Sequence, residues 1–135
     1  MYKHVLIPAQ LDDSRDIDAA AKAAQVLSAK GGRVTFLHVI EPLPAPVVAY
    51  WPDGYPMEAR ETLRKKLDEV TGLIDGAHAA LVDGTAGRTI TTWAEENGVD
   101  CIVIPSHQPT FSDLFLGSTA AWVVRHAGCA VHVVR

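Results

Sequence analysis

Five short runs rich in aliphatic and β-branched residues recur along the chain, and the stretches between them repeat apolar residues at helical spacing. This alternation limits the fold more than any other feature. The runs fall at 3–8, 33–40, 79–82, 101–104 and 130–134. Between the first two, Ile17, Ala20, Ala21, Ala24, Leu27 and Ser28 share one helical face. A second helix is predicted over 58–74 on the stripe Leu63, Leu67, Val70 and Ile74, and a third carries Ile90, Trp93 and Ala94. The last carries the narrow face Ala120, Val123, Val124 and Ala127. Strands joined through helices pair in parallel, and right-handed crossovers place those helices on both faces of the sheet. The expectation is an α/β protein with three layers, α/β/α, around a five-stranded parallel sheet. Ligands of such sheets bind beyond the carboxyl ends of strands where strand order reverses. The first and fourth strands are the natural neighbours of that point.

The punctuation agrees with this reading. Asp12, Asp13 and Ser14 supply cap residues and early negative charge for the first helix, and Gly31-Gly32 closes it. Gly84-Thr85-Ala86-Gly87 turns into the third helix and Gly98 stops it. Residues 41–56, EPLPAPVVAYWPDGYP, break the pattern with clustered prolines and the aromatic residues Tyr50, Trp51 and Tyr55. Prolines at that density exclude a regular helix or a central strand. The segment reads as a long loop, either folded on its own apolar residues or serving as a lid or docking surface.

At 135 residues the chain makes one domain, 1–135. A net charge of −4 speaks against a nucleic-acid-binding protein, which needs a basic face. The one basic cluster, Arg64-Lys65-Lys66, shares its helix with Glu61, Asp68 and Glu69 and reads as a solvated face. No run approaches the ~18 apolar residues of a membrane span, and the N-terminal MYKHVLIPAQ enters a strand without a signal-like apolar region. Cys101 and Cys129 lie in or beside apolar runs without CxxC spacing, as buried thiols do. The expectation is a cytoplasmic protein without membrane insertion.

The chemistry concentrates in residues 105–121, PSHQPTFSDLFLGSTAA. A strand runs into a polar loop, and a helix then opens on Gly117-Ser118-Thr119. Free backbone N–H groups, the positive end of the helix dipole and two hydroxyls converge there, as an anion requires. The chain has no GxxxxGK followed by Ser or Thr, and no GxGxxG after the first strand, so a P-loop NTPase and a dinucleotide fold are set aside. Ser106 and His107, neighbours in extended chain, point to opposite sides and form no nucleophile–base dyad. Asp113 reads as a local cap. His126, Cys129 and His132 have metal-like spacing but straddle a helix end and a strand, so no metal site is expected.

The segment SHQPTFSDLFLGSTAAWVVRHAGCAVHVVR resembles the C-terminal signature of the universal stress protein family. In the subgroup it is most similar to, the pattern is S-H-R-P, a short loop, L-L-G-S, then A-x-x-V-V-R-H-A-x-C-x-V-x-V-V-R. VLIPAQLDDS, VTFLHVI and DGTAG extend the resemblance over essentially the whole chain. It implies strand order 3-2-1-4-5, a fold related to adenine-nucleotide-binding domains, homodimers, and ATP or AMP as ligand, with or without Mg²⁺. Residue by residue it implies a nucleotide site at Pro8, Ala9 and Gln10 after the first strand, Val39 on the second and Gly84 after the third. Ser106, His107 and Gln108 would follow the fourth, with Gly117, Ser118 and Thr119 at the phosphates.

Three positions depart from the family pattern. Gln10 stands for an Asp that contacts the nucleoside, keeping hydrogen-bonding capacity without charge. Pro105 replaces Gly or Ala and removes an N–H. Gln108 replaces the subgroup's Arg and the glycine of the best-known binders. These changes support an alternative, a nucleotide-free interaction module whose protein partner would meet the loop 41–56. An enzyme such as a slow ATPase is the weakest reading, because no residue is an evident base. The final run Val131, His132, Val133 and Val134 would be an edge strand apolar on both faces, a hazard removed by pairing with a second copy. The family pairs in this way, so a homodimer is expected.

Overall fold

The computed structural model describes residues 1–11, 14–106 and 116–135, with the backbone alone for Ser14, Arg15 and Val48. The elements run β1 (Tyr2–Pro8), α1 (Ser14–Leu27), β2 (Ser28–Ile40), α2 (Ala45–Val48) and α3 (Tyr55–Thr71). They continue as β3 (His78–Asp83), α4 (Ala86–Glu96), β4 (Cys101–Pro105), α5 (Ser118–His126) and β5 (Ala130–Val134). The sheet has five strands in the order β3-β2-β1-β4-β5, every described pairing parallel. Fold class and strand order are as expected.

Period-2 alternation divides the strand side chains between two cores. Val5, Ile7, Phe36, Cys101 and Val103 join Ile17, Ala20, Ala21 and Ala24 of α1 and Leu67 of α3 on one face. Leu6, Leu37, Ile102 and Ile104 join Ile90 and Ala94 of α4 and Ala120 and Val123 of α5 on the other. The small residues of α1 and α5 let those helices lie close to the sheet. Burial pushes the Cys101 thiol up to about 11, helped by Cys129 and Asp100, and burial likewise raises Cys129. Cys101 is buried as expected, whereas Cys129 is only half-buried.

Three local expectations are corrected. The first helix ends at Leu27 and β2 begins at Ser28, so Gly31-Gly32 closes no helix. The pair lies in an irregularity of the ladder, where the register passes from Tyr2↔Ser28 to His4↔Arg33. Gly31 has φ 75°, and a Cβ on Gly32 would lie 2.9 Å from the Ala29 carbonyl oxygen. The segment 41–56 contains the single turn α2 and the start of α3. Pro46 and Pro56 sit in the first turns of these helices, where a missing N–H costs nothing. The second predicted helix therefore spans Tyr55–Thr71 rather than 58–74. Asp12, Asp13 and Asp113 lie outside the described residues.

The amino end of the sheet, opposite the carboxyl ends, is closed by a polar cluster. Asp100 accepts the backbone N–H groups of Lys3 and His4, both at 2.9 Å. His4 Nδ1 donates to the Asn97 carbonyl at 3.0 Å, so Nε2 accepts from the Thr35 hydroxyl at 2.9 Å. Burial, the largest influence, lowers the His4 pKa below its ordinary 6.5. The unfolded chain then binds this proton more readily than the folded one, so stability rises with pH up to about 6.5 and falls below it. Urea unfolding between about pH 5 and 8 should show this decline on acidification, and His4→Gln should flatten it. An unchanged slope in that variant would remove His4 as the cause.

Candidate functional site

Because β2 and β3 lie on one side of β1 and β4 and β5 on the other, the connections leave in opposite directions at β1 and β4. A crevice results at their carboxyl ends. A cavity of about 500 Å³ occupies it. Pro8, Ala9 and Gln10 line it from the end of β1, Leu37, His38, Val39 and Ile40 from β2, and Ile104 and Pro105 from β4. Asp16 and Ile17 of α1, Glu41, and Ala86 and Ile90 of α4 complete the sides. Gly117, Ser118, Thr119 and Ala120 form the remaining wall.

Each wall offers a different chemistry. Ile17, Leu37, Val39, Ile40, Ile90 and Ile104 give an apolar slot able to take a flat ring. The pairing of β1 with β2 ends at Pro8↔Leu37, and the Ala9 N–H still donates to the Leu37 carbonyl at 2.8 Å. By the two-residue period of a strand, Val39 turns its N–H and C=O to that same side, beyond the end of β1. A backbone donor and acceptor are thus offered where the ladder has stopped. His38 donates from Nδ1 to the Ala9 carbonyl at 2.7 Å and pins the chain leaving β1.

At the far wall, Gly117 is the N-cap of α5 in extended conformation, with no side-chain cap. The first hydrogen bond closing the helix is Ala121 N–H to the Gly117 carbonyl, 2.9 Å. The preceding N–H groups, on Ser118, Thr119 and Ala120, have no intrahelical acceptor and point out of the helix start. Ser118 is exposed and Thr119 half-buried, so both hydroxyls are reachable from the cavity. This wall suits an anion, and the slot suits an apolar ring.

The structure therefore brings together Pro8, Ala9, Gln10, Val39, Gly117, Ser118 and Thr119 around one space. It places two other predicted residues elsewhere. Ser106 is buried and extends the β4–β5 ladder, its N–H and hydroxyl both donating to the Val134 carbonyl at 2.9 and 3.2 Å. Gly84, at φ 150°, donates its N–H to the Ile40 carbonyl, and a Cβ there would collide with the Thr89 hydroxyl. It shapes the turn between β3 and α4 without lining the cavity. His107 and Gln108 lie outside the described residues. Sequence reading missed His38, Glu41 and Asp16. Their signal was position alone: Glu41 follows the carboxyl end of β2, and Asp16 lies in the first turn of α1. Among the described residues, no three His, Cys, Asp or Glu side chains gather as a metal site, and no helix is long and apolar enough to cross a membrane.

The model of the universal stress protein family matches residues 1–135. The chain belongs to the universal stress protein family. Universal stress protein G of Shigella flexneri is 30% identical to it over 142 residues, covering 100% of both chains. The universal stress protein UspA from Lactobacillus plantarum superposes with a TM-score of 0.70 at 25% identity, covering 99% of this chain and 98% of its own. A universal stress protein solved in complex with cAMP gives a TM-score of 0.65 at 22% identity, covering 99% and 97% of the two chains. That from Archaeoglobus fulgidus, in complex with dAMP, gives 0.65 at 19%, covering 99% and 98%. At these identities the last two share the fold with this universal stress protein.

Proposed function

We propose that this universal stress protein binds an adenine nucleotide, ATP or AMP, across the carboxyl ends of β1, β2 and β4. The observation that carries the reading is the single cavity in which the end of β1, the freed edge of β2 and the uncapped start of α5 meet. The base would lie in the apolar slot, its edge against the Val39 backbone and the Gln10 amide. The phosphate would take the N–H groups and hydroxyls at Ser118 and Thr119, where the dipole favours negative charge. A cavity of about 500 Å³ lies within the usual size of ligand sites. Two proteins of the same fold hold cAMP and dAMP, which supports an adenylate ligand. A Mg²⁺ ion would arrive with the ATP phosphates, and among the described residues Asp16 and Glu41 are the carboxylates on the wall.

The proposed activity is regulation by binding, without a catalytic step, in a cytoplasmic homodimer. The dimer would form along β5, the strand at the sheet edge, with Val131 and Val133 packed inward and His132 exposed. A second reading, a nucleotide-free module with a protein partner, draws on the loop 41–56. There Tyr50 is 89% exposed, and Trp51 packs against Tyr55 at 4.9 Å between ring centroids.

Calorimetric titration of nucleotide-stripped protein with ATP and AMP separates the two. Binding of either supports the first reading, and heat from neither supports the second. Ser118→Ala should weaken ATP binding by about twofold to tenfold, the net worth of one hydrogen bond at an exposed position, with an unchanged far-UV spectrum. Unaltered affinity would move the phosphate away from α5.

A further inference from the structure

Arg88 breaks a local rule. It stands in the first turn of α4, where the positive end of the helix disfavours a cation, and that turn contains no acidic residue. Among the described residues it has no carboxylate partner. Its guanidinium is held over the Trp122 ring of α5, 5.7 Å from the centroid, and Trp122 is itself stacked on His126 at 3.8 Å. Gly87 makes this possible, because a Cβ there would come within 2.6 Å of the Trp122 ring. Conformity of local choices with the fold is the norm, and departures from it mark function.

Arg88, Gly87 and Trp122 line a second cavity of about 450 Å³ beside the first. Ser118, Thr119 and Glu41 line both. The starts of α4 and α5 converge on this space, and the N-cap residues Thr85 and Gly117 make no side-chain cap bond to either. Two positive helix ends and a guanidinium therefore face one volume. Glu41 is the single carboxylate among the described residues lining it. It is exposed and donates nothing, accepting the Ala86 N–H at a long 3.3 Å, so it is free to turn to solvent.

We propose that the second cavity receives the β- and γ-phosphates of a nucleoside triphosphate whose α-phosphate sits at Ser118, and that Arg88 is the cation that distinguishes triphosphate from monophosphate. This rests on the adenine-nucleotide reading above and adds a preference among nucleotides. Arg88 sits close enough to an aromatic plane to be preoriented, so less side-chain freedom is lost when its fork meets phosphate oxygens. It supplies, from α4, a charge that position 108 does not.

The test titrates AMP and ATP, at one fixed Mg²⁺ concentration, into wild-type protein, Arg88→Gln and Arg88→Lys. The ratio of ATP affinity to AMP affinity should fall about threefold to tenfold in Arg88→Gln and recover most of its value in Arg88→Lys. Both variants should unfold thermally like wild type, because the side chain is exposed. An unchanged ratio in Arg88→Gln, with both nucleotides still bound, overturns the role of Arg88 and leaves the main site standing. Failure of the wild type to bind either nucleotide overturns the main site, and this proposal with it.

Discussion

Ser118→Glu should lower nucleotide affinity by more than about a hundredfold while the thermal midpoint holds or rises. The two effects have opposite signs for one physical reason. Ser118 is the first residue of α5 and is exposed. A carboxylate there faces the positive end of the helix and stabilises it by about 0.3–1 kcal/mol. The same carboxylate occupies the anion position and meets an incoming phosphate as a like charge, which costs several kcal/mol. Calorimetry with ATP and a thermal melt on the same preparation read both quantities. Affinity within about threefold of wild type, in a folded variant, would mean that phosphate does not bind at this helix start.

Phe36→Ala should lower the unfolding free energy by about 3–5 kcal/mol, the usual cost of removing a buried aromatic ring. Phe36 is 0% exposed on β2 and belongs to the core shared with α1 and α3. The strand is held by β1 on one side and β3 on the other, so the backbone has little room to collapse into the void. A domain of this size has roughly 5–15 kcal/mol of stability in total, so the loss is a large share of it. Urea unfolding measures it, with Val26→Ala as control. Val26 is 80% exposed, and its change should stay within about 0.5 kcal/mol. A loss under about 1 kcal/mol for Phe36→Ala would contradict the packing described.

Much of the fold was legible because hydrophobic periodicity is a local signal. The run at 130–134 coincides with β5, and the stripe at Ile90 and Ala94 is buried on α4. Misreadings occurred where one residue type serves two purposes. Gly31-Gly32 looks like a helix stop, and it lies in a register shift of the β1–β2 ladder, because both uses need the same backbone freedom. Pro46 and Pro56 look like breakers, yet each sits in a first helical turn. At the site, Gln10, Val39 and Ser118 were legible through position and resemblance. Ser106 shares the same motif, but its hydroxyl is taken by Val134 of the neighbouring strand, a contact set by strand pairing across 28 positions.

By itself the sequence determined the layers, the parallel sheet and an anion-ready start to α5, because burial pattern and helix capping act over a few neighbouring residues. Tertiary structure alone decided which of the motif residues share a space. It brought Val39 and Gln10 to face Ser118, closed Ser106 into the β4–β5 ladder, and set Arg88 over Trp122 beside the same helix start. Each of these depends on helix-to-sheet and helix-to-helix packing between residues distant in the chain. No local pattern encodes such distances.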